Sequence, residues 1–472
     1  MELRSRYVKN KENLRVFCIQ HRNIFLLLAI GILVHFAASI FLYSKFGEQT
    51  LFFENEDAHS YVDLGKSLSE GKGFVREGEA SAYRTPLYPL ILSILFITKL
   101  PFTWAVLMFQ NIIASLGGVL LYVIGKKIFS GRVGLLVFCL YTIEPYLLLT
   151  SNLATTETVF IFLTILIAYF FVRFIEKNEL KDIILTAALC GLATLTRPVA
   201  YYLPLIVGIV SILSVGCLKK QWKRAGIVCG IIVLVYCAVL SPWLVRQYVQ
   251  FKTTHITNID AFMLYARVAP IVEMDRTGLN YEEAAKSVIR RLEEKPGYSY
   301  GAIINRFDYY DFMKEETRQM VMSDPIPVIR FYAVSSIPTL FGTGYEYILE
   351  NVFGVERTLS RVSYTEVLLK EGITGVAHIF SNLDIFQVIL LLSVLMWTVI
   401  YISIMMLVVR KRSWQQHGIY LLFFILIAGY FTFFTLGPAS QVRYRLPSFP
   451  FLYLLLAAAV EAGMSRNIRN IK

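Results

Sequence analysis

Apolar residues in this chain gather into long blocks instead of alternating as in a half-buried strand or recurring once per helical turn. A transmembrane helix needs about 20 consecutive, mainly apolar residues. Blocks of that kind fall at 24–43, 104–125, 133–151, 158–175, 183–197, 199–218, 225–242, 385–409, 418–437 and 447–463. They predict an all-α polytopic membrane protein with about ten spanning helices. The 183–197 block is short for a full crossing, and its border with 199–218 is the least distinct. No small-residue cleavage site follows the first block, which therefore reads as a retained anchor.

The polar stretches orient this set. Basic residues cluster at 4–22, at Lys126, Lys127 and Arg132, at Arg173, Lys177 and Lys181, at 219–224, at 410–412 and at 466–472. With ten crossings every cluster falls on one side. The positive-inside rule makes that side cytoplasmic and puts both termini there. The chain then divides into an N-terminal membrane module (1–242), an outer region (243–384) and C-terminal membrane helices (385–472). Within the first outer loop, 44–103, the Pro-bounded apolar stretch near 86–101 is too short to span and suits a juxtamembrane helix at the outer interface. The outer region reads as mainly helical. Residues 281–295 and 312–322 form exposed charged helices, the first ended by Pro296-Gly297. The stretch 326–343 is either interfacial or a further span.

Composition agrees with the block pattern. Of 472 residues 56% are hydrophobic and 17% charged, against about 25% charged in soluble domains. The formal net charge of +12 resides in the cytoplasmic clusters and forms no continuous basic face, which excludes a nucleic-acid partner. The six cysteines, Cys18, Cys139, Cys190, Cys217, Cys229 and Cys237, sit in apolar runs or beside a basic flank without zinc-like spacing, so disulfides in the outer loops are not expected. No Asn-x-Ser/Thr sequon occurs, which leans toward a prokaryotic source. Internal repeats, a Walker loop and a dinucleotide fingerprint are also missing.

Charge beside a bilayer is costly and invites a functional reading. On the outer side the chain places Asp57 after the first block, Arg84 in RTPLYP, Glu157 in SNLATTET and Arg197 in LTRP. Arg246 follows in SPWLVRQY, then Arg443 and Arg445 in QVRYRLP. Any one of these arginines has a plain explanation as a snorkelling side chain, and outer acids are usually solvated. Their coincidence is harder to dismiss, because guanidinium groups fork onto phosphate oxygens and tolerate poor solvation better than lysine. An arginine cluster facing a carboxylate suggests a phosphate-bearing ligand with an acid–base step beside it.

The first outer loop reads Asp57, Tyr61, Gly71-Lys72-Gly73-Phe74 and Arg84-Thr85-Pro86-Leu87-Tyr88-Pro89. Weaker echoes follow in order at 155–160, 195–198, 242–248 and 443–450, while 249–384 has little counterpart. This pattern resembles the GT-C superfamily of integral-membrane glycosyltransferases, in the branch of protein O-mannosyltransferases and aminoarabinose transferases that use polyprenyl-phosphate sugars. Two departures show: Gly65 stands where Ala is usual, which would loosen the loop helix, and Gln247 stands where Asn is common.

The resemblance implies an inverting transfer from a polyprenyl-phosphate sugar to a protein, lipid or glycan acceptor at the outer face of a bacterial plasma membrane. Asp57 would be the general base, with its neighbour Glu56 as the alternative. Arg84, Arg197 and Arg246 would bind the donor phosphate, with Arg443 and Arg445 as further candidates. Tyr61 and Tyr88 would orient the base or pack on the sugar. Glu157 would hold Arg84 or touch the acceptor, a structural ion pair being the plain alternative. The histidines form no cluster, so no obligatory cofactor is expected, although a divalent cation bridging Asp57 and Glu157 is chemically permitted. The rival classes are a lipid-linked sugar flippase or transporter and a polysaccharide polymerase or ligase. Transporters favour charges near the midplane and related halves, neither of which this chain shows.

Overall fold

The computed structural model describes residues 22–53, 56–299, 305–356, 364–379, 384–434, 436 and 442–470. The side chain of Glu56, the basic segment 4–21 and Cys18 lie outside the described residues. Among the described residues the only strands are a two-stranded hairpin, Val75–Arg76 with Glu79–Ala80. The rest is a helical bundle with a smaller helical cluster on one end.

Among the described residues eight helices are long and apolar enough to cross a membrane. They include α1 (Arg22–Phe46), which continues as a 3-10 turn to Leu51. The short helices α2 (Glu56–Ser69) and α3 (Leu87–Phe96) belong to the first loop. Then come α4 (Phe102–Ile128), α5 (Gly131–Thr142), α6 (Pro145–Thr150), α7 (Glu157–Lys177) and α8 (Leu180–Thr194). The bundle continues with α9 (Leu203–Ser211, running on as a π-helix to Leu218) and α10 (Trp222–Phe251). Two of the ten expected spans are too short for a full crossing in one helix, as the sequence already indicated for the second. The 133–151 block breaks into α5 and α6, because Glu144 caps the new helix through Leu147 N at 2.6 Å and Pro145 takes its first position. The 183–197 block is the 15-residue α8, about 22 Å long at 1.5 Å per residue.

Both short pieces nonetheless carry the chain from one end of the bundle to the other. At one end Lys127 pairs with Glu176 (2.5 Å), Arg173 with Asp182 (3.2 Å), and Lys219 Nζ donates to Ile175 O (3.0 Å). At the opposite end Ala154 N donates to Leu51 O (2.8 Å) and Leu87 N to Leu195 O (3.0 Å). The described basic clusters at 126–132, 173–181 and 219–224 thus share one end, and the first loop lies at the other. All described cysteines are free.

The outer region supplies α11 (Ile259–Arg267), α12 (Ala269–Thr277), α13 (Tyr281–Glu293) and α14 (Tyr310–Ser323). A capping box between Asn280 and Glu283 starts α13. These four helices bury a small core of Tyr265, Val272, Val288, Leu292, Tyr310 and Met313. The ambiguous 326–343 stretch is α15 (Ile326–Phe341). It does not reach the basic end: just past it Tyr347 OH donates to Phe53 O (3.2 Å), beside the first loop. The bundle closes with α16 (Ile385–Val408), α17 (Lys411–Phe433) and the C-terminal helix α18 (Phe449–Asn470).

Candidate active site

Helix α2 opens the site. Asp57 lies in its first turn, where the helix N-terminus favours negative charge. Asp57, Ser60, Tyr61 and Leu64 recur at helical spacing and therefore share one face. The side chain of Glu56, the alternative base, lies outside the described residues. Gly71 and Gly73, just beyond α2, both hold positive φ (73° and 84°). Only glycine adopts that conformation without strain, which is the physical reason for the Gly-x-Gly spacing. The turn returns the chain through the hairpin to Arg84.

Arg84 is buried against α2. Its Nη2 donates to Asp57 Oδ1 at 2.6 Å and its Nε to Ser60 Oγ at 2.8 Å. The guanidinium lies over the rings of Tyr61 (4.7 Å) and Tyr83 (4.6 Å). Tyr88, four residues after Arg84 at the start of α3, is fully buried. Its hydroxyl donates to Gln110 Oε1 (3.1 Å), and its ring meets Tyr61 edge-on at 5.4 Å. That position lets Tyr88 brace Tyr61, not touch a sugar.

Arg443 joins the two carboxylates. Its Nη2 donates to Asp57 Oδ2, and its Nε to Glu157 Oε1 at 2.6 Å. Glu157 is fully buried at the N-terminus of α7, and Arg197 Nη1 lies 2.8 Å from the same Oε1. Glu157 therefore holds Arg443 and Arg197, not Arg84 as one expectation had it. Tyr444 backs both arginines, its ring 5.5 Å and 5.6 Å from their guanidinium carbons. Residues remote in sequence thus form one chain of alternating charge: Arg84, Asp57, Arg443, Glu157, Arg197. Among the described residues three cations face two anions. Asp57 is the most open carboxylate, with 29% of its side chain exposed against 0% for Glu157. Burial pushes the Asp57 carboxyl up, but the charges and hydrogen bonds of Arg84 and Arg443 outweigh it, so its pKa lies well below the usual carboxylate range.

Two other arginines are elsewhere. Arg246 donates to backbone carbonyls, Ser81 O (2.9 Å) and Phe74 O (3.3 Å), and to Gln247 Oε1 (2.8 Å). Arg445 is fully buried over Trp397, donating to Gly342 O (2.7 Å), Leu340 O and Tyr401 OH (3.0 Å). Neither touches the Asp57 cluster. Proximity to the membrane end could not separate arginines that meet carboxylates from arginines that meet main chain. Sequence reading also passed over Ser60 and Tyr83. Ser60 was detectable, since it lies three residues beyond Asp57 on a helix.

Residues 84–245 match the family described as dolichyl-phosphate-mannose-protein mannosyltransferase. No curated protein sequence matches the chain. In structure the chain is similar to the oligosaccharyltransferase AglB from Archaeoglobus fulgidus in complex with an inhibitory peptide and a dolichol-phosphate. The identity is 12% and the TM-score 0.50, over 95% of this chain and 52% of that one. An oligosaccharyltransferase from the same organism, tethered to an acceptor peptide containing the NVT sequon, gives 11% identity and a TM-score of 0.51 over 97% and 51%.

The fold is of the GT-C type.

The chain spans about half the length of these oligosaccharyltransferases. ArnT from Cupriavidus metallidurans bound to undecaprenyl phosphate is a looser likeness, at 12% identity and a TM-score of 0.41 over 94% of this chain and 79% of that one. Within the GT-C fold the family match begins at Arg84 and covers Glu157 and Arg197. Asp57 and Arg443 lie outside it and join the site only through tertiary contact.

Proposed function

We propose that this GT-C protein is an inverting glycosyltransferase that takes a sugar from a polyprenyl-phosphate donor. The observation that carries the reading is the partly open carboxylate of Asp57 held between Arg84 and Arg443. The family match to dolichyl-phosphate-mannose enzymes and the dolichol-phosphate held by the similar AglB point to the same donor class. In the reaction an acceptor hydroxyl or amine attacks the anomeric carbon. The new bond forms as the carbon–oxygen bond to the lipid phosphate breaks. The phosphate leaves with the bonding electrons, and the acceptor proton passes to Asp57. One carboxylate suffices because the phosphate is a good leaving group, unlike the pair needed for glycoside hydrolysis.

A carboxylate pinned by two guanidinium groups is a weak base, and the donor relieves this. Its phosphate competes for Arg84 and Arg443, loosening their hold as it takes their hydrogen bonds. The basicity of Asp57 then rises with donor bound, while the same arginines stabilise the departing charge. Arg197 and Glu157 keep Arg443 oriented throughout. We assign no resident cation to the site, because Arg443 itself bridges Asp57 and Glu157, the place a divalent ion would take. The basic end of the bundle is assigned to the cytoplasm by the positive-inside rule, which turns the site outward. Acceptor choice is assigned to the outer region, whose Asn258 and Asn305 touch the backbone leading to Arg84.

The test is a transfer assay with purified protein in detergent and radiolabelled polyprenyl-phosphate sugars. Transfer to a peptide, lipid or glycan acceptor with inversion supports the reading. Lipid translocation in vesicles without transfer from any donor overturns it in favour of a flippase.

A further inference from the structure

Among the described residues Arg246 contacts no carboxylate, yet it sits among Phe74 (5.4 Å), Trp243 (4.8 Å) and Phe251 (5.1 Å) with its donors on the ends of the hairpin. The hairpin turn has Glu77 and Gly78 both at positive φ (55° and 83°), as a two-residue turn between twisted strands requires. With only two pairs, Val75 with Ala80 and Arg76 with Glu79, such a hairpin is not stable alone in water. It needs an outside fastening. Arg246 supplies one by bridging Phe74 O, before the first strand, and Ser81 O, after the second.

The fastening continues toward Arg84. Ala82 N donates to Asn305 O (2.9 Å), Asn258 N to Ala82 O (3.3 Å), and Thr257 Oγ1 to Tyr83 O (2.6 Å). Beyond Arg84, Thr85 Oγ1 donates to Thr196 O (2.7 Å), next to Arg197. Arg246 is itself placed by Gln247, whose Oε1 accepts from it and whose Nε2 donates to Ile256 O (2.9 Å). The departure from Asn at this position therefore has a use: the longer amide reaches both partners.

We propose that Arg246 is a positioning residue, which clamps the 74–81 hairpin and thereby holds Arg84 against Asp57 and Ser60 in the geometry that receives the donor phosphate. The inference rests on the proposed donor class. A guanidinium fork is required because two carbonyls must be bridged while the flat face packs on aromatic rings, and a lysine ammonium cannot do both.

The experiment combines hydrogen exchange with a double-mutant cycle on the full-length protein in detergent. Arg246→Ala and Arg246→Lys should both speed amide exchange across 74–82, where Ser81 N and Ala82 N are bonded in the native state. Both should weaken undecaprenyl phosphate binding by about tenfold, the loss of roughly one charge-assisted contact. In an Arg84→Ala background the same changes should add almost nothing, because residues acting through one another are not additive. Retained affinity in Arg246→Lys, or losses that add in full to that of Arg84→Ala, would show that Arg246 meets the phosphate by charge and would overturn the proposal. Unchanged exchange at 74–82 would also overturn it. If Arg246→Ala fails to fold, Arg246→Lys alone completes the cycle. If the native protein binds no lipid phosphate, the donor assignment fails, and the link to phosphate binding fails with it.

Discussion

At the residue scale the proposed reaction rests on Asp57, the more open of the two clustered carboxylates. Asp57→Asn keeps the shape but cannot accept a proton. Turnover should fall by about 10²–10⁴-fold, the range general-base catalysis contributes, while undecaprenyl phosphate still binds. Near-normal turnover in single-turnover assays would move the base elsewhere, first to Glu56. Arg84→Ala should do the reverse, raising the donor KM more than it lowers kcat. The pairing also sets a pH dependence. The folded-state pKa of Asp57 is lowered, so its contribution to stability is fully present above the ordinary Asp value of about 3.9. It is lost as pH falls through the folded-state value. The difference in thermal midpoint between wild type and Asp57→Asn should therefore stay flat from about pH 5 to 8 and change only in acid. A slope within that window in a fluorescence melt would contradict the pairing.

Helix α2 matters as an element because it brings Asp57 to Arg84, and its seat on α3 depends on Gly65. A Cβ there would stand 2.7 Å from Leu92 Cβ and 3.3 Å from Pro89 O. Glycine at this position does not loosen the loop helix, as the sequence suggested; it permits a close crossing. Gly65→Ala should cost about 1–3 kcal/mol, the usual penalty for overpacking, and should lower activity by shifting α2 relative to Arg84. Measurement needs only thermal unfolding and a transfer rate on the same preparation. A variant as stable and active as wild type would show that α2 and α3 adjust freely. The π-helical end of α9 and the break between α5 and α6 are likewise element features, and only the second had a sequence signal, in Pro145.

For the whole molecule, the ends of the bundle differ in charge and in task. The basic end holds Lys127, Lys181 and Lys219, and the opposite end holds the arginine–carboxylate chain beneath the outer helices. Orientation can be read with single cysteines in a variant whose native cysteines are replaced. Lys286→Cys, on exposed α13 (70% of the lysine side chain exposed), should react with an impermeant maleimide in intact cells. Lys181→Cys, 65% exposed at the other end, should react only after lysis. The reverse labelling would place the site inside and sink the outward assignment.

The sequence alone determined the membrane class, the alternation of spans and the first-loop motif. Apolar block length, the sidedness of basic residues and the glycines at 71 and 73 are local properties that solvent and backbone sterics impose directly. It also supplied Asp57, Arg84, Glu157, Arg197 and Arg443 as candidates, though not their partners. Which arginine meets which acceptor was decided only in three dimensions. Arg443 reaches Asp57 across 386 residues of chain, whereas Arg246 and Arg445 settle on backbone carbonyls. A guanidinium satisfies itself equally well on a carboxylate or on several carbonyls, so its residue type carries no address. Packing of α2, α3, α7 and the approach to α18 determines which of these acceptors lies within reach.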